Sequence, residues 1–194
     1  MRVSKQNRIT EKVRVSVDNW GGVYVWNDES GSSLSNMWEG KLWVGGRQYI
    51  SGENAMQGEK FLRLGAECME EKRKERLLEY GERFEVAGGM SPKEARRAGN
   101  SRGFRLRRGE LRRWSEMAYE VQSEICRWKM RHDREVQREL CESGEKPIVQ
   151  SMLETPRENH ACISVKNHND LGYLWMEMRD SRREKLDYLS TRYV

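Results

Sequence analysis

Ser51-Gly52-Glu53-Asn54-Ala55-Met56-Gln57-Gly58-Glu59-Lys60-Phe61 is where the chain changes from strand spacing to helix spacing. Ser51 is a candidate N-cap, so a helix is expected to start there. Upstream the period is two. Val13, Val15 and Val17 alternate with Arg14, Ser16 and Asp18, a turn follows at Asn19 to Gly22, and Val23-Tyr24-Val25-Trp26 reads as the returning strand. Leu42-Trp43-Val44, Gly45-Gly46 and Arg47-Gln48-Tyr49-Ile50 repeat the hairpin pattern, with the glycine pair supplying positive φ. The first 50 residues therefore predict a small antiparallel sheet behind a loose polar tail at residues 1–11.

Downstream the signals are helical. Glu67 to Tyr80 is rich in opposite charges at i,i+4 and reads as a solvated helix. Ser91-Pro92-Lys93-Glu94 combines an N-cap, a first-turn proline and an acid at N3, starting a short helix that ends near Gly99, before a loop at Asn100 to Gly103. Leu111, Trp114, Ala118, Val121, Ile125 and Trp128 recur at alternating spacings of three and four, the buried stripe of a central helix of about five turns. Ser143-Gly144 is a stop, Pro147-Ile148-Val149 an extended segment, and Leu171, Leu174, Trp175 and Met178 mark a last amphipathic helix with a basic tail. The expected fold class is α+β, predominantly helical, with one domain over residues 12–194.

The 194 residues are 36% hydrophobic, enough for one core of ordinary size, with 7 Trp and 10 Met supplying much of its volume. No segment approaches the roughly 20 apolar residues of a bilayer span, and Met1-Arg2-Val3-Ser4-Lys5 has no apolar run behind its charge. A cytoplasmic protein with no membrane partner is expected. Cys68, Cys126, Cys141 and Cys162 form no C-x-x-C pair, and His132, His160 and His168 do not complete a zinc spacing with them, so reduced thiols and no metal are expected. The net charge of +5 permits phosphates, nucleotides or nucleic acid as partners.

Glu53, Gln57 and Lys60 carry the most informative chemistry, because at 100° per residue they fall within about 60° of one another on one helix face. Facing a cleft, the carboxylate could stabilise a developing cation or activate water, with the amine binding phosphate or keeping the acid ionised. Facing solvent, the same trio is an ordinary polar stripe.

The same residues resemble the NADAR family. Leu34-Ser35-Asn36, then Ser51 to Phe61, is similar to that family's Leu-Ser-Asn turn and its Ser/Thr-x-Glu-x-x-x-Gln-x-x-Lys-Phe/Tyr helix. Pro92 to Gly99 resembles the segment between the family's halves, and Trp114 with Cys126-Arg127-Trp128-Lys129-Met130 its long helix. Leu140 to Val149 resembles the Leu-x-x-Thr-Gly-x-x-x-Leu-Val element, and Asn169-Asp170-Leu171-Gly172-Tyr173-Leu174-Trp175-Met176-Glu177-Met178-Arg179 the closing motif. These matches are collinear over about residues 23–183.

The resemblance implies an N-glycosidase that cleaves a ribosyl or ADP-ribosyl C1′–N bond, without metal or organic cofactor. Implied substrates are phosphoribosyl-amine intermediates or ADP-ribose on guanine in nucleic acid. Glu53 would be the catalytic carboxylate and Lys60 its charge partner. Asn36 and Asn169 would bind sugar hydroxyls or the base edge, with Gln57 beside them. Ser35 would line the site or simply close its turn, and Gly172 would allow a close backbone approach. Trp38, Trp43 and Trp114 could stack a flat leaving group, although Trp114 equally fits the core stripe. Gln122 and Lys129 are further candidate lining residues. The arginines at 102, 105, 107, 108, 112 and 113 could grip a diphosphate or a nucleic-acid backbone, or be a solvated face.

The chain also departs from the family pattern. No Trp-Gly occurs in residues 150–162, Gln150 stands where Glu is common, and Asn54 stands where His is common. Glu154 or Glu158 could replace the missing acid, and His160 could donate a proton. The departure motivates two alternatives: a module that binds ADP-ribose, nucleotide or nucleic acid without cleaving it, and a scaffold with no ligand.

Overall fold

The computed structural model describes residues 24–26, 31–100, 102–150 and 169–192. In chain order the elements are β1 (Tyr24–Trp26), β2 (Glu39–Val44), β3 (Arg47–Ser51), α1 (Gly52–Glu67), α2 (Glu71–Glu82), α3 (Pro92–Ala98), α4 (Arg108–His132), α5 (Arg134–Glu142), β4 (Ile148–Gln150) and α6 (Asp170–Arg192). The architecture is α+β and mainly helical, as the sequence spacing predicts. Among the described residues no helix is long and apolar enough to cross a membrane.

β2 and β3 form the antiparallel hairpin, Leu42 opposite Tyr49 and Val44 opposite Arg47. Its turn places Gly45 and Gly46 at φ 57° and 78°, a left-handed pair that glycine adopts without strain. β1 instead runs parallel to β4, with Tyr24 opposite Ile148 and Trp26 opposite Gln150. The expected hairpin partner, Val13 to Val17, lies outside the described residues.

α1 begins where expected: Ser51 Oγ accepts the Asn54 backbone N–H at 3.1 Å. α3 carries the full capping box, Ser91 Oγ accepting from the Glu94 N–H and Glu94 accepting from the Ser91 N–H. α2 departs from the solvated-helix expectation. Its Leu77 is fully buried, Gly81 packs against Leu62 of α1, and Arg73 is buried in a two-point ion pair with Glu110, 2.8 and 2.7 Å away. The stripe of α4 also shifts. Leu111, in the first turn, is 53% exposed, and Met117 rather than its neighbour Ala118 reaches the core with Val121 and Ile125. α4 stops at Asp133, whose carboxylate caps α5 by accepting the Glu135 and Val136 N–H groups.

Two apolar clusters make up the interior. The first joins Leu42, Val44 and Tyr49 of the hairpin to Ala55, Phe61 and Leu64 of α1, Leu77 of α2 and Ala95 of α3, closed by Met117, Val121 and Ile125 of α4. The second joins Leu34 to Cys126 of α4, Val136 and Leu140 of α5, Ile148 of β4 and Leu171, Leu174, Trp175 and Met178 of α6. α4 belongs to both, so one rigid helix fixes how the N-terminal end of α1 meets the turn that contains Leu34.

Candidate active site

The Leu34-Ser35-Asn36 turn is held through its backbone. Lys129, at the C-terminal end of α4, donates from Nζ to the carbonyls of Ser33 at 2.5 Å and Ser35 at 2.9 Å, while Trp175 Nε1 donates to Leu34 O at 3.0 Å. The ammonium also lies over the Trp175 ring, and burial lowers its pKa to about 8 against the opposing charges of Cys126, Asp133 and Glu139. Ser35 closes the turn by accepting the Met37 N–H on its hydroxyl at 3.0 Å.

So fixed, Asn36 meets the first turn of α1. Its carbonyl accepts the Glu53 N–H at 2.8 Å, and its side-chain amide forms a reciprocal pair with Gln122 of α4, at 2.7 and 3.1 Å. The approach is close enough that a Cβ on Gly52 would sit 2.7 Å from Asn36 Oδ1. The turn, the α1 N-terminus and the middle of α4 therefore converge on Glu53.

Glu53, Gln57 and Lys60 form a connected row. Glu53 and Lys60 are only 6% and 8% exposed, which removes the solvent-stripe alternative. Gln57 Nε2 donates to Glu53 Oε1 at 2.8 Å, and Lys60 Nζ donates to Gln57 Oε1 at 2.5 Å and to the Gly99 carbonyl. The amide has one consistent orientation, because a carboxylate accepts and an ammonium donates. A Cβ at Gly99 would lie 2.0 Å from Gln57 Oε1, so a larger residue there would displace the amide. Burial pulls the Lys60 amine down to about 8, with the Glu53 charge opposing. The direct cation on Glu53 is Arg96 of α3, whose NH2 group lies 3.1 Å from Oε2. Lys60 reaches the carboxylate through Gln57.

Arg96 and Gln122 are the residues to which sequence reasoning gave little or no site role. Arg96 arrives from a helix 43 residues further along the chain, so no helical periodicity links it to Glu53. Its only signal was its position inside the Pro92–Gly99 segment.

The other expected site residues make the following contacts. Asn169, at φ 65°, donates from Nδ2 to Ile148 O at 2.9 Å and accepts the Gln150 N–H on Oδ1 at 3.0 Å, so its amide brackets β4. Gly172 packs so tightly there that a Cβ would fall 2.2 Å from Asn169 Oδ1 and 2.4 Å from Ile148 O. Trp114 is half-buried and packs against the first cluster. Trp43 is 53% exposed on the hairpin, and Trp38 donates its indole N–H to Asp133 at 3.1 Å. In the basic run, Arg107 lies 2.7 Å from Glu70, Arg113 lies 2.6 Å from Glu67, and Arg112 lies 3.8 Å from Glu116. Glu154, Glu158 and His160 fall outside the described residues. Among those described, Cys68, Cys126 and Cys141 are free thiols, and no three His, Cys, Asp or Glu side chains are grouped to hold a metal ion.

No protein-family model and no curated protein matches the chain. Among solved structures, the chain is similar to the NMR structure of the E. coli protein YbiA, a NADAR family member, at 26% identity and a TM-score of 0.53, covering 84% of this chain and 88% of that one. The fold is NADAR-like. This agrees with the fold that the resemblance implies.

Proposed function

We propose that this NADAR-like chain is an N-glycoside hydrolase that cleaves the C1′–N bond of a ribosyl or ADP-ribosyl substrate, with Glu53 as its catalytic carboxylate. The observation that carries the reading is the row Glu53–Gln57–Lys60, with both charged ends buried, pressed against Asn36 at the N-terminal end of α1. A carboxylate kept buried among hydrogen-bond donors and cations is suited to a centre that becomes positive during reaction.

In the proposed reaction the C1′–N bond breaks with its electron pair leaving on the nitrogen base, and C1′ passes through an oxocarbenium-like state. Glu53 stabilises that charge and accepts a proton from the water that adds to C1′. The departing base takes up the proton that Glu53 accepted, so one water is consumed and the products are the free base and a sugar with a C1′ hydroxyl. Lys60 holds Gln57, and through it the orientation of the Glu53 carboxylate. Asn36 and Gln122 supply amide groups for sugar hydroxyls or a base edge. Asn169 and Gly172 support this site indirectly, by fixing β4. ADP-ribosylated guanine in nucleic acid and phosphoribosyl amines are the substrates of first choice, and no metal or organic cofactor enters the scheme.

The test is to incubate the protein and its Glu53→Gln variant with DNA carrying ADP-ribosylated guanine, and with phosphoribosyl amines, and to measure released ADP-ribose or base. Release by the wild type, lost in a folded variant that still binds the ligand, is the expected result. Absence of release from every ribosyl-nitrogen substrate, with salt-dependent nucleic-acid binding retained, would favour the binding module instead.

A further inference from the structure

Glu53 is held by a partner of quite different exposure. The carboxylate side chain is 8% exposed, whereas that of Arg96 is 40% exposed, so the ion pair runs from the interior to the solvent side of α3. Along the row, Glu53 pairs directly with Arg96 and is linked to Lys60 through Gln57. Lys60 is anchored from behind by the Gly99 carbonyl and by Gln57, and lies over the Phe61 ring, so it is fixed deep in the row. Arg96 is the more exposed of the two cations. A planar guanidinium matches phosphate oxygens at least as well as it matches a carboxylate, and Arg96 is the exposed member of the pair, while Gln57 keeps its hydrogen bond to Glu53.

We propose that Arg96 is an anion-binding latch: the guanidinium that sits on Glu53 passes to the phosphate or diphosphate of an entering ribosyl ligand, which leaves the carboxylate turned toward the sugar. This rests on the proposed hydrolase reading for its consequence in catalysis, but the ligand preference stands separately. The class of ligand so selected is a ribosyl compound bearing a phosphoryl group. A ligand lacking phosphate would leave Arg96 on Glu53 and the carboxylate partly neutralised. Discrimination between the two would thus appear in the rate of reaction as well as in affinity.

The experiment compares wild type, Arg96→Gln and Arg97→Gln. Arg97 is the exposed neighbour on the same helix, so its loss changes the net charge equally without touching Glu53. Thermal unfolding of all three establishes that each is folded. Binding of ADP-ribose and of ribose 5-phosphate is titrated calorimetrically against adenosine and ribose. Arg96→Gln is expected to weaken binding of the phosphorylated ligands about tenfold or more, as loss of a charge-assisted contact does, leaving the unphosphorylated ligands within about twofold. Arg97→Gln is expected to change neither. Equal loss on both ligand classes, no loss in Arg96→Gln, equal loss in Arg97→Gln, or no phosphate preference in the wild type would each overturn the latch. Because binding is read without turnover, a phosphate preference dependent on Arg96 in a protein that releases no base would sink the hydrolase and keep the latch. Turnover indifferent to Arg96 would do the reverse.

Discussion

Lys60 and Gly99 never need to touch a substrate to control the proposed reaction, because both act on Gln57. With its amine lowered to about 8, Lys60 is mostly protonated at pH 7 and loses its proton just above neutrality. The neutral amine binds Gln57 and the Gly99 carbonyl less strongly, so kcat/KM is expected to fall as pH rises through about 8. Lys60→Met should give a lower and level profile over that range, whereas a limb that survives in this variant would assign the titration elsewhere. A second prediction needs no titration. Gly99→Ala places a methyl where the Gln57 amide lies, at 2.0 Å from Oε1, and forces the amide off the carboxylate. Misplacement of about an ångström in such a row costs on the order of 100-fold in rate, so steady-state kinetics should show a loss in kcat larger than any change in KM.

At the scale of elements, the joint between β4 and α6 decides whether Asn169 and Gly172 belong to the frame. Gly172→Ala is expected to destabilise the fold by about 1–3 kcal/mol, the usual result of overpacking a close backbone contact, measured as a lower urea midpoint at unchanged slope. An unchanged midpoint would mean that the joint is loose and that Gly172 is present for another reason. The sequence made such joints hard to see. What it did reveal was short-range: the Ser51 cap, the Ser91-Pro92-Glu94 box, the Gly45-Gly46 turn and the face shared by Glu53, Gln57 and Lys60 are each set by neighbours within two helical turns. Where the decisive partner is remote in the chain, the reading erred or was silent. β1 pairs with β4, over 120 residues further along the chain, α2 buries Arg73 because Glu110 waits on α4, and Arg96 reaches Glu53 from α3. The α4 stripe shows the same limit. Periodicity identified the face, but Leu111 lies at the end where the described neighbours give least cover, and only packing reveals that.

Taken over the whole molecule, the buried cations make stability and activity respond to alkali in opposite directions. Lys60 and Lys129 are both lowered to about 8 from the ordinary lysine value of 10.5, so above pH 8 the folded protein gives up protons that the unfolded chain still holds. Each therefore adds stability as pH rises from about 8 toward 10.5, by at most about 1.4 kcal/mol per pH unit. Cys126 opposes this, its thiol being pushed up to about 12 by burial, so that the stability it contributes is present below pH 9 and lost from there toward 12. Tyr49, raised by burial and by the neighbouring Glu59, opposes it above pH 10. The window from pH 8 to 9 is thus the one in which the two lysines act largely alone. Urea midpoints should rise across it, rise more gently from pH 9 to 10 where Cys126 offsets one lysine, and level off above pH 10, while kcat/KM falls from pH 8 upward. Lys129→Met is expected to flatten part of that rise, at the expense of leaving the Ser33 and Ser35 carbonyls without their donor. If the midpoint instead dropped in step with activity between pH 8 and 9, the loss of turnover would be unfolding, and Lys60 would have no separate part in it.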